Sequence, residues 1–134
     1  MIAGWPDLRS ERAVVDNVPY ISARRVLLSG ETHQAFHEAY VVEMRVRMRA
    51  LIDAYFAADL EPLRALRDRL GVTHLVIDRR HYESPPTYFR PFDQWTAQAF
   101  SAARARGFEV RRRIAQAQVF DDGTLAVLDL SRLP

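Results

Sequence analysis

Glu31, His33 and His37 fall within one seven-residue stretch, and Asp78, Arg79, Arg80, His81 and Tyr82 follow one another without a break. In these two places the residue types could do chemistry. His33 and His37 are four apart, so on a helix both rings would face one point, as metal-binding histidine pairs do. Glu31, Glu38 or Asp78 would complete such a site. His33 is followed by Gln34-Ala35-Phe36, not by the Glu of an HExxH motif. In the competing reading, Thr32 caps a long helix and the histidines are ordinary first-turn residues. Asp78 and His81 have the types of a base and its orienter, with no activated serine near them in sequence. Alternatively, Asp78 ties down a neighbouring loop or pairs with an arginine.

Ser29-Gly30-Glu31 has the start of a phosphate-cradling turn. One glycine falls short of GxGxxG or a Walker loop, however, and Glu31 would repel phosphate. Tyr20, Tyr82, Tyr88, Phe89 and Phe92 offer a surface for a carbohydrate or a partner, or else pin a proline-rich loop to the core. No catalytic or metal-ligating residue is assigned from these patterns, and no cofactor is expected. The candidate binding residues are Glu31, His33, His37, Asp78, Arg79, His81 and Tyr82.

The elements that must position these side chains centre on 59–82. Asp59 can cap a helix with Pro62 in its first turn and Leu63, Leu66 and Leu70 on one face. Gly71 supplies a left-handed stop. Val72 to Ile77 is a short apolar run, which predicts a strand covered on both faces. Upstream, Ile2 to Trp5 and Arg25 to Leu28 are expected strands, and residues 34–57 a long helix. That helix has an apolar stripe of Phe36, Tyr40, Met44, Met48, Leu51, Ile52 and Tyr55. A third helix is predicted from Asp93 to Gly107, with Trp95, Ala99 and Ala103 inward and Phe100 at the edge. Phe108–Val119 and Leu125–Leu130 flank DDGT, a hairpin signal. If the strands are parallel neighbours, the ends at Trp5-Pro6-Asp7, Ser29 to His33 and Asp78 to His81 form one rim, where ligands of open α/β sheets sit. The expected fold is therefore a single α/β domain over 1–134. It has three layers and a mostly parallel, Rossmann-like sheet of about five strands with a C-terminal antiparallel hairpin.

The composition excludes several chemistries. The chain has no cysteine and no lysine, so thiolate nucleophiles, disulfides, Schiff bases and the P-loop lysine are ruled out. Its 19 basic residues are all arginines, set against 17 acids, a formal net charge of only +2. They interleave with the acids as on a solvated, ion-paired face, and only Arg111-Arg112-Arg113 forms a run, so no nucleic-acid partner is expected. No apolar run approaches the roughly 18–20 residues of a membrane span, and as given the polypeptide is expected to be soluble.

The series IAGWP, NVPYISARRVLLSGE and HEAY…EMRVRM…LIDAYFAADLEPLRALRDRLGVTHLVID resembles, over about residues 2–80, a soluble domain found in certain large bacterial membrane proteins. These are polytopic proteins related to lipid-linked-sugar glycosyltransferases, and the domain is their carboxyl-terminal, extracytoplasmic part. The matching positions are Pro19, Arg25 and Glu31, then Tyr40, Glu43, Arg47 and Tyr55, then Leu66 through Val76. The resemblance implies a domain excised from a longer membrane protein, on the extracytoplasmic face of a bacterial membrane. The family's reactive carboxylates lie in membrane-embedded loops outside this chain. A non-catalytic accessory or binding role is therefore expected, with the parent's membrane portion as partner and a sugar or lipid-linked sugar as ligand. The alternative is a stand-alone metal-assisted or acid-base hydrolase using Glu31, His33, His37, Asp78 and His81.

Overall fold

The computed structural model describes residues 1–5, 22–28, 38–87, 90–108, 110–111 and 114–134. Helix α1 spans Glu38–Tyr55, α2 Glu61–Leu70 and α3 Phe92–Arg106. Strands β1 (Ile2–Ala3), β2 (His74–Asp78), β3 (Gln118–Asp121) and β4 (Leu125–Asp129) form one sheet in the order β1-β2-β4-β3. Among the described residues, no helix is long and apolar enough to cross a membrane.

The mostly parallel, five-stranded sheet expected from the sequence is not what forms. Among the named strands of the described residues, only β1 and β2 pair in parallel; β2 pairs antiparallel with β4, and β4 with β3. The run at 25–28 contributes one parallel bridge, Val26 to Ile2. The hairpin does not hang on the rim of a parallel core but inserts its second strand beside β2. Composition explains which strand goes inside. β4 is LAVL followed by Asp129, with Ala126 and Leu128 fully buried, whereas β3 carries exposed Val119 and Phe120 and takes the edge. The first hairpin strand is also shorter than its apolar run. Ile114–Gln116 is a 3-10 turn, and β3 starts only at Gln118.

Among the described residues, helices α1, α2 and α3 do not sandwich the sheet in three layers, for a related reason. Cross-strand partners Leu75 and Leu128, and Ile77 and Ala126, point to one face and join a core with Met48, Leu51, Tyr55, Leu63, Leu66 and Phe100. Helices α1, α2 and α3 lie on that face. Val76 and Val127, paired on the opposite face, lie outside this core. They line a groove of about 770 Å³ to which no residue of the three helices contributes.

Local signals held more closely. Gly71 ends α2 in the left-handed conformation at φ 67°, its amide donating to the Arg67 carbonyl and that of Val72 to the Leu66 carbonyl. The N-cap of the same helix is Leu60 and not Asp59, which stands one residue earlier and accepts from the Glu61 amide at 2.8 Å. The turn after β3 closes on side chains: Asp122 Oδ1 accepts from the amides of Thr124 and Leu125 at 2.9 and 2.7 Å. The α1 stripe holds at Met44, Met48, Leu51, Ile52 and Tyr55, which are buried, and the α3 stripe rotates. Tyr40 is exposed, and on α3 the inward residues are Phe92, Thr96, Phe100 and Ala103, with Trp95 and Ala99 only half-buried.

Two outcomes follow from this one-sided core. Leu75→Ala should cost about 2–5 kcal/mol in urea unfolding, as buried Leu truncations do, and Val127→Ala distinctly less. Equal losses would mean that both faces are covered alike. Gly71→Ala should cost about 1–2 kcal/mol from backbone strain, since a Cβ there meets nothing within 4 Å.

Candidate functional site

Of the predicted rim, Trp5 and the carboxyl end of β2 are described, and they come together. At the end of β2 the chain passes from Asp78 into a 3-10 turn, Arg79–Tyr82. Beside Trp5, just past β1, two other elements reach this point: Tyr55 and Phe56 at the end of α1, and the β3 side of the hairpin. Glu31, His33 and His37, with Tyr20, Tyr88 and Phe89, lie outside the described residues. Asp78, Arg79, His81 and Tyr82 lie within them, and each is engaged.

Asp78 caps the turn, its Oδ1 accepting from the Arg80 amide at 3.0 Å. The Arg80 guanidinium grips the same carboxylate, Nε to Oδ1 at 2.9 Å and Nη2 to Oδ2 at 2.5 Å. Burial works to raise the Asp78 carboxyl. Donation from the Arg80 side chain and amide, with the charges of His81 and Arg80, outweighs it and holds the group below the usual carboxylate range. Arg79 turns the other way. Its guanidinium pairs with Asp121, Nη2 donates to Gln118 Oε1 at 3.2 Å, and its amide donates to the Thr124 carbonyl at 2.8 Å. It therefore fastens the hairpin to β2.

Tyr55 is the node. Its ring is fully buried, and its hydroxyl accepts from the Asp78 amide at 2.6 Å. The same oxygen lies 3.0 Å from His81 Nδ1 and 3.2 Å from the Asp78 carbonyl. A hydroxyl has one proton, so the tautomer of His81 decides where it goes. With Nδ1 bare, Tyr55 donates to His81; with Nδ1 protonated, the imidazole donates and Tyr55 turns to the Asp78 carbonyl. Burial, with the charges of Tyr82 and Asp78, pushes the Tyr55 phenol well up, so it stays neutral. The Tyr82 hydroxyl in turn donates to the Tyr55 carbonyl at 3.1 Å, and burial raises its phenol as well.

Tyr82 stacks on the Tyr55 ring, and Trp5 packs edge to face against Tyr55 and His81. Trp5 lies 5.6 Å from Tyr55 and 5.9 Å from His81 between centroids. The Trp5 Nε1–H is buried and has no hydrogen-bond partner among the described residues. No three His, Asp or Glu side chains come together as a metal site among the described residues. Of the aromatic residues for which the sequence left two roles open, the two that are described, Tyr82 and Phe92, are buried against the core. Sequence reasoning counted Tyr55 as one apolar position in a stripe. The signal that could have found it is chemical, because a hydroxyl on a fully buried face must have a partner.

Tyr55→Phe keeps the ring and removes the acceptor of a buried amide, so it should destabilise by about 1–3 kcal/mol in chemical denaturation. Asp78 also gives a pH signature. Its depressed folded value means that its contribution is present above the unfolded carboxylate value of about 3.9 and is lost as pH falls through the lower folded value. Asp121, Asp122 and Asp129 are depressed too, so the acid limb has several sources. Arg80→Ala should flatten only the Asp78 share, read as the difference between the two urea-midpoint profiles below about pH 4. Compared with family models, with curated proteins and with solved structures, the chain matches none.

Proposed function

We propose that this chain is a non-catalytic accessory binding domain belonging to a larger membrane protein of the lipid-linked-sugar glycosyltransferase type. It works on the extracytoplasmic side beside the parent's membrane portion and engages a sugar or lipid-linked sugar. The observation that carries the reading is what the rim side chains do. Asp78 is held by Arg80, Arg79 by Asp121, and the Tyr55 hydroxyl by the Asp78 backbone and His81, all in contacts that join one element to another. A general base committed to a guanidinium and a phenol with no exposed surface are poorly placed to meet a substrate.

Some of the described residues behind the resemblance also make contacts within and between elements. Arg47 pairs with Glu43 at 2.8 Å and reaches the Leu27 carbonyl at 3.4 Å, Tyr55 seats the end of β2, and Leu66 through Val72 form the helix stop. These contacts tie a helix to strands. Such a set fits a domain kept for its shape rather than for a reaction.

The test is to recover the native polypeptide from cells that make it. Peptides of this chain should come from a longer polypeptide in the membrane fraction, open to protease from the extracytoplasmic side. Purified alone, the chain should turn over no lipid-linked sugar or glycan. A native cytosolic protein of this length, or turnover abolished by His81→Ala, would overturn the reading and favour the hydrolase.

A further inference from the structure

Away from the β2 rim, a groove of about 380 Å³ lies between the last turns of α1, the 57–59 connection and α3. Its volume is at the small end of the range for small-molecule sites. Ile52, Phe56, Ala99 and Ala102 belong to its apolar part, and the short alanine side chains leave its floor open. One wall is Trp95, which the rotation of α3 leaves half-buried instead of inside the core. The Arg49 guanidinium sits 5.3 Å from the Trp95 ring centroid, and its Nε is 3.2 Å from Asp53 Oδ1. Across the groove, Arg106 Nη2 donates to the Phe56 carbonyl at 2.9 Å, which fixes a second guanidinium. Asp59, held through the Glu61 amide, and the exposed Gln98 complete the polar lining.

We infer that this groove is a binding site for a neutral sugar unit; the inference rests on the accessory-domain reading and gives that domain its ligand site. Two arginines and two aspartates cancel in formal charge, so the groove favours neither an anion nor a cation. Each guanidinium keeps further N–H donors and each carboxylate further lone pairs beyond the contacts above. Fixed donors beside fixed acceptors suit neighbouring hydroxyls, each of which both donates and accepts. The C–H face of a sugar ring suits an alanine floor beside an indole. A purely apolar ligand would leave this polar lining unsatisfied.

The experiment is an NMR titration of the chain, following the Trp95 and Arg49 resonances. The probes are a panel of neutral oligosaccharides and the same sugars on a polyprenyl phosphate carrier in nanodiscs. At least one soluble sugar should shift the Trp95 indole signal. Ala102→Trp, which fills the groove from an exposed helix position, should weaken it at least tenfold with unchanged Tm. Should Ala102→Trp disturb the fold, Gln98→Ala and Asp53→Asn are read in the same way. A carrier-linked form binding with the same Kd as the free sugar places recognition in the sugar unit. Sugar binding that shifts other residues and survives all three variants, or that needs the carrier and ignores them, overturns the groove and leaves the accessory-domain reading intact. A wild-type chain that binds no sugar, free or carried, overturns both.

Discussion

Strand β2 has to end inside the protein, and the Tyr55 hydroxyl is what lets it do so. The Arg79 amide is bonded on the β4 side, to Thr124. Alternation along the strand therefore turns the Asp78 amide to the β1 side, where β1 has already stopped at Ala3. A buried amide with no strand to meet needs another acceptor, and Tyr55 supplies it from the last turn of α1. The exit of β2, the end of α1 and the turn carrying His81 and Tyr82 are thereby fixed to one oxygen.

From that point the remaining contacts read as a chain of fastenings. Arg79 anchors the hairpin, which brings β4 alongside β2 and places Leu128 and Ala126 against the helices. Gly71 turns α2 back so that Val72 is buried and Thr73 meets Met1 and Leu130 through its backbone. Asp129 repeats the device of Asp78 at the end of β4, its Oδ1 accepting from the Ser131 amide at 3.0 Å to open the final turn. Both strands thus leave the sheet through an aspartate that caps a 3-10 turn. Polar residues at strand ends, which suggest a ligand rim when seen in sequence, here serve to end strands. The balanced polar groove between α1 and α3 has no comparable task in holding the sheet.

Much of the local structure was legible. The helix entry just after Asp59, the stop at Gly71, the strand after it and the turn at Asp122-Gly123 all depend on residues within a few positions of one another, so the sequence displays them directly. Neither the candidate groove nor the Tyr55 node was legible. Trp95 was placed inward because a stripe on α3 can be drawn through it, whereas Phe92, Thr96, Phe100 and Ala103 make the face that packs. A rotation of one residue's angle about a helix axis, about 100°, exchanges wall for core and is set only by the neighbour. Tyr55 and His81 are 26 positions apart, and nothing in either neighbourhood announces the other.

Amino-acid order alone determined where this chain turns, caps and alternates, and that its chemistry must do without thiols and amines. Tertiary structure decided which strand stands beside β2. An apolar five-residue strand is equally at home next to a parallel or an antiparallel neighbour, and periodicity along the chain carries no information about what lies across it. Leu125–Asp129 took that place because a hairpin returns immediately and Arg79 holds it there. The same contest settled the layers: Leu75 and Val76 are equally apolar in sequence, but only the face bearing Leu75 met the helices.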